Sequence, residues 1–160
     1  MLAGVVVVLV GCGAEAPGER VVTGTGYRFR APAGWEVVRT AREVRVAEGE
    51  NSAALVGVSR FHLRRAYRQA LWSKVVRELD SVSGALARQQ HGSVTDAKDV
   101  RISGTRARRY RVAYVVGGKK LVEELVFLLR GKTEYLLLCR YAQGASHDAC
   151  DTLTSSFKLT

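Results

Sequence analysis

Proline, cysteine and histidine are scarce in this 160-residue chain, with two, three and three copies. So few prolines, with no long low-complexity tract, exclude a disordered polypeptide. No self-similarity recurs at solenoid or propeller spacing, which excludes a repeat array. The opening apolar run, Leu2 to Val10, is shorter than the about 20 residues a membrane-crossing helix needs. Acidic residues are in deficit, 15 against 25 Lys and Arg, for a net charge of +10. What remains is 47% hydrophobic and 25% charged, the make-up of one globular domain with a real core. Its basic surface suits anionic partners: nucleic acid, anionic lipid headgroups or acidic polymers.

The opening run has the length of a signal-peptide h-region, about 7–15 residues. Leu9-Val10-Gly11-Cys12 resembles a bacterial lipobox, in which the chain is cut before the cysteine and the thiol is lipidated. Residues 1–11 are accordingly read as a lipoprotein signal peptide and 12–22 as the lipidated N-terminus and tether, with Cys12 acylated. A basic n-region is missing before Leu2, so the natural start is expected upstream of Met1. The competing reading is a buried strand, Val5 to Val10, followed by an ordinary core cysteine.

An odd cysteine count in an exported protein needs an explanation. Lipid on Cys12 supplies one and leaves Cys139 and Cys150 to form a disulfide. That bond would join a final strand to a final helix. The sharper alternative uses His147, Asp148 and Cys150 as a nucleophile with its base, or as half a metal site. No second ligand pair accompanies them, so neither metal nor cofactor is expected, and no catalytic residue is assigned.

Hydrophobic alternation predicts strands over 26–32, 35–39, 43–47 and 53–63, the first stopped by Pro32. The period then changes. Leu71, Val75, Leu79, Val82 and Leu86 mark one face of a helix over 67–90. Residues 106–116 and 119–130 form a hairpin around Gly117-Gly118, because both glycines accept positive φ. A two-residue loop sets Tyr114 opposite Leu121, Tyr110 opposite Leu125 and Arg111 opposite Glu124, so that like meets like and base meets acid. Gly131-Lys132 turns the chain into a strand over 133–141. Ser146 caps a last helix, with Asp148 in its first turn, that ends near Phe157. Strands, long helix, strands and short helix specify an α+β domain over residues 23–160, an antiparallel sheet with one long and one short C-terminal helix packed on it.

Tyr27-Arg28-Phe29-Arg30-Ala31-Pro32-Ala33-Gly34-Trp35 resembles the Tyr-x-Phe-x-x-Pro-x-Gly-Trp opening of PsbP-like domains and related bacterial lipoproteins. Residues 131–136 and 155–159 resemble the closing strand and helix of that group, over roughly residues 22–160 in all. The resemblance implies an α/β/α sandwich in an exported, actinobacterial-type lipoprotein. It implies a binding or accessory module, with no shared catalytic residue to carry over.

Few chemical constellations stand out. Glu123 and Glu124 are neighbours on a strand and point to opposite faces, so they cannot form an acid–base pair. Thr23-Gly24-Thr25-Gly26 lacks the preceding strand and following helix of a phosphate loop. Two basic clusters remain: Arg64, Arg65 and Arg68 before the long helix, and Arg106, Arg108, Arg109 and Arg111 on the hairpin with Lys119 and Lys120 at its tip. In an exported protein they would meet anionic lipid or cell-wall polymer rather than nucleic acid. The expected function is a membrane-anchored, non-catalytic module for a protein partner or an amphipathic or anionic ligand, on the outer face of the cytoplasmic membrane. A small exported enzyme and a basic cytoplasmic nucleic-acid binder are the alternatives.

Overall fold

Gly117 and Gly118 decide the centre of the fold. With φ of 55° and 78° they make the tight turn between strands β7 (Thr105–Val116) and β8 (Lys119–Arg130). The register is the expected one: Tyr114 faces Leu121, Tyr110 faces Leu125 and Arg111 faces Glu124. β9 (Thr133–Ala142) returns on the other side of β8. This computed structural model describes residues 18–160. Cys12, the signal segment and the alternative strand at Val5 to Val10 lie outside the described residues.

Around that centre an antiparallel seven-stranded sheet runs in the order β3-β4-β5-β9-β8-β7-β6. β3 (Glu36–Arg39), β4 (Glu43–Ala47) and β5 (Leu55–His62) match the expected strands within two residues. The edge strand β6 (Ser93–Ile102), to which the sequence pattern assigns no element, is mostly polar and exposed. Only one face of it meets the core, and its charges blunt a free sheet edge. A second sheet has the order β1-β2-β10, from Glu19–Gly24, Tyr27–Pro32 and Lys158–Leu159.

β1 corrects the tether boundary. Residues 19–22, read as tether, pair with β2 from Glu19↔Pro32 to Val22↔Phe29. Val22 is buried and Val21 is 64% exposed, so this short strand has too little apolar alternation to announce itself.

The long helix α1 is Trp72–Gln89, preceded by a 3-10 turn at Gln69–Leu71. Its inward face is rotated from the expected stripe. Leu71 and Val82 are about half exposed, whereas Trp72, Leu79, Ser83 and Ala87 are buried. Small residues at 83 and 87 let the helix approach the sheet, and the Trp72 indole N–H donates to Asp99 of β6 at 3.0 Å. Helix α2 (Asp148–Ser156) begins where the Ser146 hydroxyl accepts the Asp148 N–H.

Alternation on the large sheet divides the core in two. Tyr110, Val112, Leu125 and Phe127 face α1. Ala107, Val126, Leu128 and Leu137 face the small sheet and α2. The molecule is thus α1 on one side of an antiparallel sheet, with α2 and the small sheet on the other. No helix among the described residues is long and apolar enough to cross a membrane.

At the junction of the small sheet and α2, Tyr27 stacks on Phe157 at 5.8 Å and meets Tyr135 edge-on at 5.9 Å. The Tyr27 hydroxyl donates to the Val58 carbonyl, and burial pushes its pKa up to about 12. The same ring explains the Thr-Gly-Thr-Gly run. A Cβ at Gly24 would strike it, and Gly26 turns the chain at φ 79°.

Candidate functional site

The alternation that places Glu123 and Glu124 on opposite faces also splits the hairpin arginines. Arg106 and Arg108 lie on the α1 face. Arg106 bonds the Asp99 carboxylate through Nε and Nη2, and Arg108 bridges Asp99 at 3.1 Å and Asp80 of α1 at 3.2 Å. The Tyr110 hydroxyl donates to the same Asp80 carboxylate. Burial, then that hydrogen bond, push the Tyr110 pKa well up. Burial would raise Asp99, but hydrogen bonds from Arg106, Trp72 and Arg108 hold its carboxyl below the usual range. Arg106 also covers the Trp72 ring, 4.8 Å from its centroid.

Arg109 and Arg111 lie on the opposite face. Arg109 pairs with Asp96 at 3.0 Å, and its hydrogen bond holds that carboxyl low. Arg111 donates through Nε and Nη2 to Glu124 at 3.1 and 2.7 Å, and the Tyr141 hydroxyl adds a third donor. Glu124 is thus a buried carboxylate whose Oε1 takes all three bonds, with Arg109 Nη1 3.9 Å from Oε2. Arg106 and Arg108 tie the sheet to α1, Arg109 and Arg111 tie neighbouring strands of the sheet to each other, and the four do not form one anion-binding face.

The other predicted cations are separated as well. Arg64, Arg65 and Arg68 are exposed beside the β8–β9 turn, where Leu63 and Tyr67 N–H groups donate to the Lys132 and Gly131 carbonyls. Lys119 and Lys120 are exposed at the other end of β8, about 40 Å away for a strand of that length.

Cys139 and Cys150 form a disulfide with Cα atoms 5.4 Å apart, both nearly fully buried. It links β9 to α2 as expected and removes the thiol from the His147–Cys150 alternative. His147, Asp148 and Asp151 still cluster, with His147 Nε2 3.7 Å from Asp151. All three are exposed, and they belong to the first turn of α2.

Two clefts were not foreseen residue by residue. On the outer face of the small sheet, Arg28, Arg30 and Lys158 surround exposed Val21, with Ser155 and Ser156 at the rim, enclosing about 280 Å³. Arg28 stands directly opposite Lys158, a like-charge pairing that disfavours the sheet. Arg30 is neutralised by Glu19 at 2.9 Å. No local pattern joins these residues, because Arg28 and Lys158 meet only when the chain's last strand pairs with β2. The second cleft lies between α1 and the large sheet. Leu86, Val112, Leu125, Leu136 and Leu138 line about 200 Å³, with Gln90 and the buried Glu123 at one side. Gln90 donates to Glu123 at 3.2 Å. This volume is below the about 300 Å³ at which sites for drug-sized ligands begin.

Glu134 on β9 is half-buried, and burial alone lifts its carboxyl above the usual range. A raised folded-state pKa means that the folded protein holds this proton more tightly than the unfolded chain does. The charged form therefore opposes folding as pH rises, and the protonated form does not. Glu134→Gln accordingly stabilises the domain at pH 7, by an amount that fades as pH falls towards about 4. A pH series of urea midpoints reads this directly; an unchanged midpoint at pH 7 contradicts it.

No family model matches the chain, and no curated protein matches it in sequence. Among solved structures, the chain is similar to cyanobacterial PsbP (CyanoP) from Synechocystis sp. PCC 6803. The TM-score is 0.64 at 14% identity, covering 95% of this chain and 99% of that one. It is equally similar to a crystal structure from Bacteroides thetaiotaomicron VPI-5482, with a TM-score of 0.64 at 12% identity. There it covers 89% of this chain and spans 48%, about half, of the other. The fold is PsbP-like, an α+β arrangement of antiparallel sheets with two packed helices.

Proposed function

We propose that this chain is an extracytoplasmic binding or accessory module, tethered to the membrane by lipid on Cys12. The observation that carries the reading is the buried Cys139–Cys150 disulfide. Such bonds persist in oxidising compartments. With two cysteines paired, the third is Cys12, at the end of Leu9-Val10-Gly11-Cys12. Two or more acyl chains on one residue anchor a protein stably, at about 0.8 kcal/mol per buried CH₂. The PsbP-like fold supports a binding or accessory role over a chemical one, and the small apolar cleft beneath α1 suits part of an amphipathic ligand.

Mass spectrometry of the mature N-terminus, with metabolic labelling by a palmitate analogue, tests the anchor. The expected species begins at acylated Cys12 and shows no free thiol when unfolded without reductant. An unlabelled Cys12 ends the lipoprotein reading, and two free thiols end the disulfide.

A further inference from the structure

The net charge of +10 is not spread over the molecule. β8 runs from Lys119 to Arg130, so the turns of the large sheet fall at two ends. At the Arg130 end, the β8–β9 turn carries Arg130 and Lys132 beside Arg64, Arg65 and Arg68. The β6–β7 turn adds Arg101 and Arg106, and the β3–β4 turn adds Arg39 and Arg42. Arg60 projects from the last part of β5. All of these side chains are exposed. Of these cations, only Arg106 makes an ion pair among the described residues. The acids beside these connections are Glu43, the half-buried Glu134 and Asp99, the partner of Arg106.

The opposite end is nearly balanced. Lys119, Lys120, Arg20 and Arg140 share it with Glu48 and Glu50 of the β4–β5 turn, Glu36 at the start of β3 and Asp148 at the start of α2. The chain enters the domain at this balanced end. Gly18 accepts a hydrogen bond from Ala33, and Arg20 donates to the Trp35 carbonyl just before β3.

This placement limits what the basic end can touch, given the lipid anchor at Cys12 on which the inference rests. From Cys12 to Gly18 is six residues, a reach of at most about 20 Å. Through the pairings Glu36↔Ala47, Ala47↔Leu55, Leu55↔Arg140 and Arg140↔Glu123 the entry point lies level with Glu123, about 25 Å along β8 from the outermost turn of the basic end. Standing the domain on its basic end would lift Gly18 further from the bilayer than the tether extends. The surface is also unlike a protein–protein interface core, which concentrates apolar and aromatic side chains and is depleted in charge. It consists of guanidinium groups on separate turns, suited to forked contacts with successive phosphates.

We propose that this basic pole docks a phosphodiester-linked anionic polymer of the cell envelope, on the side of the domain turned away from the membrane. The cost of holding so many unpaired like charges together is offset when the polymer's phosphates lie across them.

The test uses the full chain carrying Cys12→Ser, with long-chain inorganic polyphosphate as the probe. Binding is followed across a salt series. Replacing Arg64, Arg65 and Arg68 together by Ala, or Arg130 and Lys132 together by Ala, weakens binding about tenfold or more. It also flattens the salt slope by about 0.7 for each phosphate that is no longer neutralised. Lys119→Ala with Lys120→Ala, at the other end, leaves both unchanged. Equal losses in the two sets overturn the proposal, as does binding to phosphatidylglycerol vesicles that matches polyphosphate binding and depends on the pole residues. Because this protein carries no lipid, an unacylated Cys12 in the native chain leaves the result standing and removes only the direction in which the pole points. A lipidated Cys12 with no polyphosphate binding removes the pole and leaves the anchor.

Discussion

Phe157→Ala lowers the unfolding free energy by about 3–5 kcal/mol, the largest effect expected of any single truncation outside the disulfide. The side chain is 1% exposed and fills the space between Tyr27 and Tyr135, with ring centroids 5.8 and 6.0 Å away. These three rings join three elements: β2, β9 and the end of α2. Truncation leaves a cavity that they cannot all close at once, since the Tyr27 hydroxyl is held by Val58 and its ring covers Gly24. Removing the ring also loosens the chain that leads into β10, where Lys158 pairs with Arg28. Urea denaturation measures the change. Phe157→Leu, which keeps much of the volume, falls well short of the Ala variant. A loss below about 1 kcal/mol for Ala would show that the aromatic junction carries little of the stability.

Reduction of the Cys139–Cys150 bond lowers stability by about 3 kcal/mol on the chain-entropy account, since the closed loop is short. The bond spans a sequence separation of 11 between β9 and α2. Without it α2 is held mainly by Leu153 and Phe157 in the shared core. The expected readings are a lower urea midpoint in reductant and a matching fall in Cys139→Ala/Cys150→Ala protein. A reduced protein with the oxidised protein's midpoint contradicts the role of the bond as a staple. Both variants act on the same helix, so combining them gives less than the sum of their separate losses.

The hairpin shows how far local information reaches. Gly117-Gly118 and the pairing of Arg111 with Glu124 fix a register that the structure keeps residue for residue. A turn of defined length leaves one alignment in which apolar partners and opposite charges all meet. The face of α1 shows where such information stops. Leu71 and Val82 fit the helical period as well as Trp72 and Ser83 do, but the approach of the helix to the sheet favours the small residues. β1 and β6 are edge strands with few buried side chains, so their sequences carry little of the pattern that marks a central strand. The hairpin arginines were legible as a cluster in sequence but not as two sets. Arg111 meets Glu124 through the hairpin register alone, whereas the acids that meet Arg106, Arg108 and Arg109 depend on β6 and α1 coming together with β7.

The sequence by itself determined the α+β order of elements, the central register and the availability of one cysteine pair, because turn glycines, hydrophobic period and cysteine count act locally or by number. Only the tertiary structure decided which arginines are neutralised and which are left free at one end. Charge pairing across sheets and the grouping of distant turns depend on topology, which brings together residues that no spacing along the chain connects.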